Sequence, residues 1–205
     1  MSASPKLPHS VNEWKAGFRG IVKPSLYEVM ITGNGWNTVL GNAGLDQATT
    51  RELIVHCESA KFPGSAIGTQ PNRIYGPVRE FAYERIYSGD ISLTFRMDES
   101  MNLRRIFDRW HSLIYDSQSG DFSYYDDYKA DILIFQYPTK QAESTAGGAT
   151  SLPDARKPIY GVRVNEAFPK SIGEIELGYD QTNTYMKQDI DFAFRSWEEI
   201  PLSEL

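Results

Sequence analysis

Alternation is the plainest signal in the chain. Over residues 90–97, Ile91, Leu93, Phe95 and Met97 take every second position, and Asp90, Ser92, Thr94 and Arg96 fill the gaps. That is the period of a half-buried β-strand. Residues 25–32 (SLYEVMIT) are rich in side chains that suit a pleated surface. Further strands are predicted over 53–60, 129–137, 159–167, 171–177 and 184–197, with a turn signal at Phe62-Pro63-Gly64. The links 168–170 and 178–183 are short, which predicts antiparallel neighbours. Only over 99–115 does the period change. There Leu103, Ile106, Phe107, Trp110, Leu113 and Ile114 follow the stripe of a helix laid on a core, with Asp98 placed to cap it and Arg104, Arg105 and Arg109 on its polar face.

Two stretches carry neither period. Residues 33–50 contain Gly33, Asn34, Gly35, Gly41, Asn42 and Gly44 and are predicted as a long loop, although Trp36, Val39, Leu40 and Leu45 within it are apolar. Residues 139–157 are polar, with Gly147, Gly148 and Pro153, and are predicted as a surface insertion. One helix among seven or eight strands predicts a mainly β fold: an antiparallel β-barrel or sandwich with one α-helix packed on it. The expected organisation is a flexible arm over 1–23 and a single domain over 24–205, with loop insertions at 33–50 and 139–157.

Composition narrows the function. A chain of 205 residues suits one domain, and 40% hydrophobic residues are enough for a core. The net charge is -6 and the pI about 5.1. The densest basic group, Arg104, Arg105 and Arg109, falls inside the predicted helix, so the chain does not hold nucleic acid by neutralising phosphates. Cys57 is the only cysteine. An intrachain disulfide and a cysteine zinc cluster are therefore excluded, and a reducing compartment such as a cytoplasm fits. Residues 1–10 lack the apolar core of a signal peptide, and no apolar run nears the ~20 residues that span a bilayer, so no membrane insertion is expected.

Catalytic chemistry finds little purchase. His9, His56 and His111 have no metal-ligand spacing, so no metal or cofactor is expected. Cys57 follows His56, and neighbours on a strand point to opposite faces, which argues against a nucleophile–base pair. Glu174 with Glu176, and Asp189 with Asp191, share predicted strand faces. Such pairs serve glycosidases as acid and base, but a solvated acidic sheet face is the simpler reading. Tyr124 and Tyr125 lack the interleaved basic residues of a base-stacking surface, which leaves packing or an oligomer interface.

Several segments resemble one family. The run Cys57-Glu58-Ser59-Ala60-Lys61-Phe62-Pro63-Gly64 is similar to the strand and Pro-Gly element of the tail tube proteins of contractile-tailed bacteriophages. Tyr75-Gly76-Pro77 with Arg79, and the aromatic and glycine segment 83–90, resemble the next stretch. Phe107-Asp108-Arg109-Trp110 looks like part of the family's helix. Glu166-Ala167-Phe168-Pro169-Lys170-Ser171-Ile172, continuing through Ile175-Glu176-Leu177 to Trp197, resembles its C-terminal part. The shared order runs from about residue 24 to 197.

The resemblance implies a non-enzymatic subunit that forms hexameric rings, stacked into a tube whose lumen conducts DNA during ejection. It implies as partners other copies of the chain, the contractile sheath protein, baseplate and tail terminator proteins, a tape measure protein inside the lumen, and DNA in transit. The implied location is the virion tail, assembled in the host bacterial cytoplasm. Glu174, Glu176, Asp189 and Asp191 are then expected to line the lumen, where like charge keeps DNA mobile. Trp36, Val39, Leu40 and Leu45 are expected to pack against the adjacent ring. The alternatives are a baseplate-proximal tube initiator or related tail-end protein, the tube of a bacterial contractile injection system, and a small hydrolase acting on cell-wall sugar.

Overall fold

The computed structural model describes residues 22–43, 55–73, 75–87, 89–138, 157–179 and 184–201. The expected arm up to residue 21, most of the insertion at 139–157, and Leu45 lie outside the described residues.

The strands are β1 (Tyr27–Thr32), β2 (Cys57–Ala60), β3 (Ser65–Asn72), β4 (Arg79–Tyr87), β5 (Asp90–Arg96), β6 (Ala130–Gln136), β7 (Tyr160–Ile172), β8 (Lys187–Ala193) and β9 (Ser196–Glu199), of which β3 and β4 were not expected from alternation. The helices are α1 (Asn34–Ala43), α2 (Asn102–Ile114) and the single turn α3 (Tyr125–Tyr128). Seven strands form one antiparallel sheet in the order β1-β6-β7-β8-β5-β2, with β9 also paired to β7. β3 and β4 pair only with each other.

The sheet bends at β7. Its first part pairs with β6 and β9, and its second part, from Phe168, pairs with β8. At the corner Glu166 has a left-handed backbone, φ 55, where the β6 register slips between Ala130 and Ile132. The Asp131 carboxylate accepts the Glu166 N–H at 3.1 Å. Such a bulge interrupts the ladder locally and bends the strand, and Asp131 supplies the partner for the freed N–H. The bend brings β1 and β2 together, but Tyr27 Oη donating to the Cys57 carbonyl (3.1 Å) joins them instead of a ladder. The barrel is curled and not closed by backbone pairing among the described residues.

The expected strand at 171–177 is corrected. Residues 168–170, expected as a link, lie inside β7, which ends at Ile172. Pro169 is tolerated there because the register shifts between Pro169 and Ser171, where a missing N–H costs no ladder bond.

The expected loop at 33–50 is corrected too: its first part is α1. Glycine explains both the misreading and the structure. Gly33 takes φ 115 to turn out of β1. A Cβ on Gly35 would lie 2.4 Å from the carbonyl carbon of Tyr128, so only glycine lets α1 approach α3 this closely. Trp36, Val39 and Leu40 are thereby buried against α2 and the sheet.

Trp36, Phe107, Trp110, Phe95 and Phe192 form the centre of the core, with the Trp36 and Trp110 rings 5.3 Å apart. Trp110 Nε1 donates to the Tyr128 carbonyl at 2.8 Å. Asp98 caps α2 from outside its first turn, accepting the N–H groups of Asn102 (3.3 Å) and Leu103 (3.4 Å). Burial pushes the Asp98 carboxyl upward, but those bonds and one from Ser100 outweigh it and hold it below its ordinary value.

Candidate assembly surfaces

β8 presents Ile190 and Phe192 to the core and Asp189 and Asp191 to the other face. Opposite them on β5 stand Thr94 and Ser92. Thr94 Oγ1 donates to Asp189 (2.7 Å), and Ser92 and Ser171 donate to the two oxygens of Asp191 (2.5 and 2.8 Å). These hydroxyls, Ser92 first, hold the Asp191 carboxyl below its usual range. Along the same face Glu58 accepts Lys187 (2.6 Å) and Arg96 (3.4 Å), and Lys170 meets Asp90 at 2.7 Å. The face therefore carries cations among its carboxylates, and the two aspartates expected from alternation belong to a hydroxyl-bonded network. Glu174 and Glu176 stand apart: they are exposed beyond the end of β7 and share no strand face with Asp189 and Asp191.

The β3–β4 hairpin is a second surface, unforeseen as a pair of strands. Its base is anchored: Trp197 Nε1 donates to the Gly64 carbonyl (3.1 Å), Arg85 lies 5.0 Å from the Trp197 ring centre, and Phe62 meets Tyr160 edge-on. Beyond the base both faces are open. Ile67, Val78, Phe81, Tyr83 and Ile86 are all exposed. Phe81, Tyr83 and Tyr87 hold alternate positions in β4, but β3 carries no apolar period and neither face is covered within the subunit, so the pair was not marked as strands.

A third surface follows α2. Residues 115–123 form a tight turn closed by the Tyr115–Phe122 bridge. Ser123 N–H donates to the Ile114 carbonyl (3.1 Å) and Asp116 N–H to that of Asp121 (3.0 Å). Lastly, Lys129, Asp131, Asn165, Glu166, Arg195 and Ser196 line an open cleft of about 580 Å³. Glu166 there accepts Lys129 (3.5 Å) and Arg195 (3.3 Å), so its charge is spent within the subunit.

Catalytic arrangements do not form around the residues considered. Burial pushes the Cys57 thiol up to about 12, far from a reactive thiolate. Among the described residues no group of His, Cys, Asp and Glu is placed to hold a metal ion; His9 lies outside them. No described helix is long and apolar enough to cross a membrane. Trp36, Val39 and Leu40, expected to need an adjacent ring for cover, are covered by their own subunit.

Among the described residues the fold is a bent antiparallel sheet with a bonded polar face and an exposed apolar hairpin. The chain belongs to the phage tail tube protein family, whose model matches residues 22–200. That family is structural, and the chain is not an enzyme. No curated protein matches the sequence. Solved structures share the fold at low identity. A chain from the baseplate of the anti-feeding prophage is 9% identical with TM-score 0.56, covering 90% of this chain and 99% of that one. A chain from the extended sheath–tube complex of the PVC extracellular contractile injection system is 12% identical with TM-score 0.54, covering 94% and 99%. A chain from the tube-terminating cap of the anti-feeding prophage is 14% identical with TM-score 0.55, covering 90% and 93%.

Proposed function

We propose that this chain is the subunit of the inner tube of a contractile bacteriophage tail, forming stacked hexameric rings whose lumen conducts DNA during ejection. The observation that carries the reading is the β3–β4 hairpin. A two-stranded hairpin alone in water is marginally stable at best, and this one exposes apolar side chains along its length. The edges of β1 and β2, unpaired among the described residues, point the same way, since unpaired edges recruit strands and ring closure removes them. The bonded polar face of β5 and β8 is suited to a channel wall: its charges are held by neighbours and offer DNA no free run of cations. The sheath would lie outside the tube, baseplate and terminator proteins at its ends, and the tape measure protein in the lumen, with assembly in the host cytoplasm.

The resemblance to baseplate and cap chains supports a second reading, a tube-end or tube-initiator subunit. One experiment separates the two. The purified chain is imaged by negative-stain electron microscopy beside a Phe81→Ser/Tyr83→Ser/Ile86→Ser variant. The tube reading expects long hollow rods from the unaltered chain and none from the variant, at unchanged monomer stability. Single rings at every concentration would favour the tube-end subunit, and rods of normal length from the variant would refute the hairpin's role.

A further inference from the structure

The turn at 115–128 offers aromatic rings on a hydrogen-bonded frame, with nothing over them among the described residues. Phe122 is 76% and Tyr124 82% exposed, and Tyr115, 4.9 Å from Phe122, is 43% exposed. Aromatic side chains held open this way mark interfaces more often than solvent-facing turns. Asp116, Asp121, Asp126 and Asp127 lie in the same segment, all exposed, with Asp126 paired to Lys129 at 2.5 Å. A fitting occupant carries apolar groups with basic residues beside them.

The chain contains such a segment. Before residue 22, apolar residues recur at Leu7, Val11, Trp14, Phe18 and Ile21, four and three apart, with Lys6, Lys15 and Arg19 among them and Glu13 the lone acid. The segment leaves the subunit away from its own turn. Tyr27 pairs with Gln136 and Thr32 with Asp131, so residue 22 leaves at one end of the β1–β6 ladder while α3 and the turn enter at the other. The six-residue ladder separates them by about 20 Å. Head-to-tail assembly requires complementary patches at opposite ends of one subunit, and these two are complementary in charge and both apolar.

Resting on the tube reading, we infer that residues 1–21 of one subunit dock on the aromatic–acidic turn at 115–128 of a subunit in the adjacent ring. Trp14 and Phe18 cover Phe122 and Tyr124, and Lys15 and Arg19 face the aspartates.

Charge reversal in the full chain tests it. Lys15→Glu/Arg19→Glu, and separately Asp121→Lys/Asp127→Lys, should each raise the concentration needed for rods about tenfold, the equivalent of about 1.4 kcal/mol per junction. The fourfold variant, with both reversals, should return close to the unaltered value, because attraction is restored with the signs exchanged. Circular dichroism melts of the variants should match the unaltered chain, since Asp121 and Asp127 are exposed and, unlike Asp126, take part in no ion pair among the described residues. Rods at the normal concentration from either reversal alone, or no recovery in the fourfold variant, overturn the docking while leaving the tube reading intact. Failure of the unaltered chain to form rods counts against the tube reading itself.

Discussion

Gly35→Ala sets two effects of opposite sign against each other. As a position in a helix, glycine replaced by alanine gains about 0.5–1 kcal/mol. In this structure the new Cβ would sit 2.4 Å from the Tyr128 carbonyl carbon and 2.6 Å from the carbonyl oxygens of Tyr128 and Lys129. These are backbone atoms, and no rotamer change moves them. Ordinary contact needs about 3.5 Å, so α1 must retreat from α3 by ~1 Å. The retreat strains the Gly35 N–H bond to the Lys129 carbonyl, now 3.1 Å, and opens the seam where Trp36 meets Trp110. Overpacking costs about 1–3 kcal/mol, and a stranded buried N–H about 1–3 more. Offset by the propensity gain, the net is a loss of about 1–5 kcal/mol. Gly41→Ala is the control: it lies in the same helix, exposed, with nothing within 4 Å of an added Cβ, and should stabilise by about 0.5–1 kcal/mol. Urea unfolding of dilute subunit, followed by circular dichroism and tryptophan fluorescence, reads both. A Gly35→Ala variant as stable as the unaltered chain, or a Gly41→Ala loss of the same size, would refute the reasoning.

Trp110→Ala should lower stability by about 3–5 kcal/mol in the same assay, since its ring is fully buried and its N–H bonded; a change below about 1 kcal/mol would place it outside the core. Asp98→Ala should cost about 0.5–2 kcal/mol as a lost helix cap. Because its folded carboxyl sits below the ordinary 3.8, its contribution is complete above that value and disappears as pH falls below it. The Asp98→Ala penalty should therefore shrink at low pH, and a penalty constant down to about pH 2 would exclude this cap role. For the channel wall, Asp189→Lys/Asp191→Lys should still assemble tails yet slow DNA release, whereas Glu174→Lys/Glu176→Lys, off the β5–β8 face, should have the smaller effect. Equal, normal ejection rates in both would remove these carboxylates from the lumen.

Where a side chain's environment repeats with the local backbone period, the sequence alone was enough. β5 and β8 have one face buried and one bonded, so Ile91, Leu93, Phe95, Ile190 and Phe192 declared themselves, and with them the polar positions Asp189 and Asp191. α2 was legible for the same reason, in its 3.6-residue stripe. Three features were decided only in the tertiary structure. α1 forms from glycine-rich sequence because Gly35 permits a backbone approach and Trp36 gains a core. β7 runs unbroken through Pro169 because a register shift across the sheet spares the missing N–H. The β3–β4 hairpin was not legible because β3 carries no apolar period and both faces are open within the subunit. In the first two cases a partner distant in sequence sets the energy, and no local pattern records where that partner will lie.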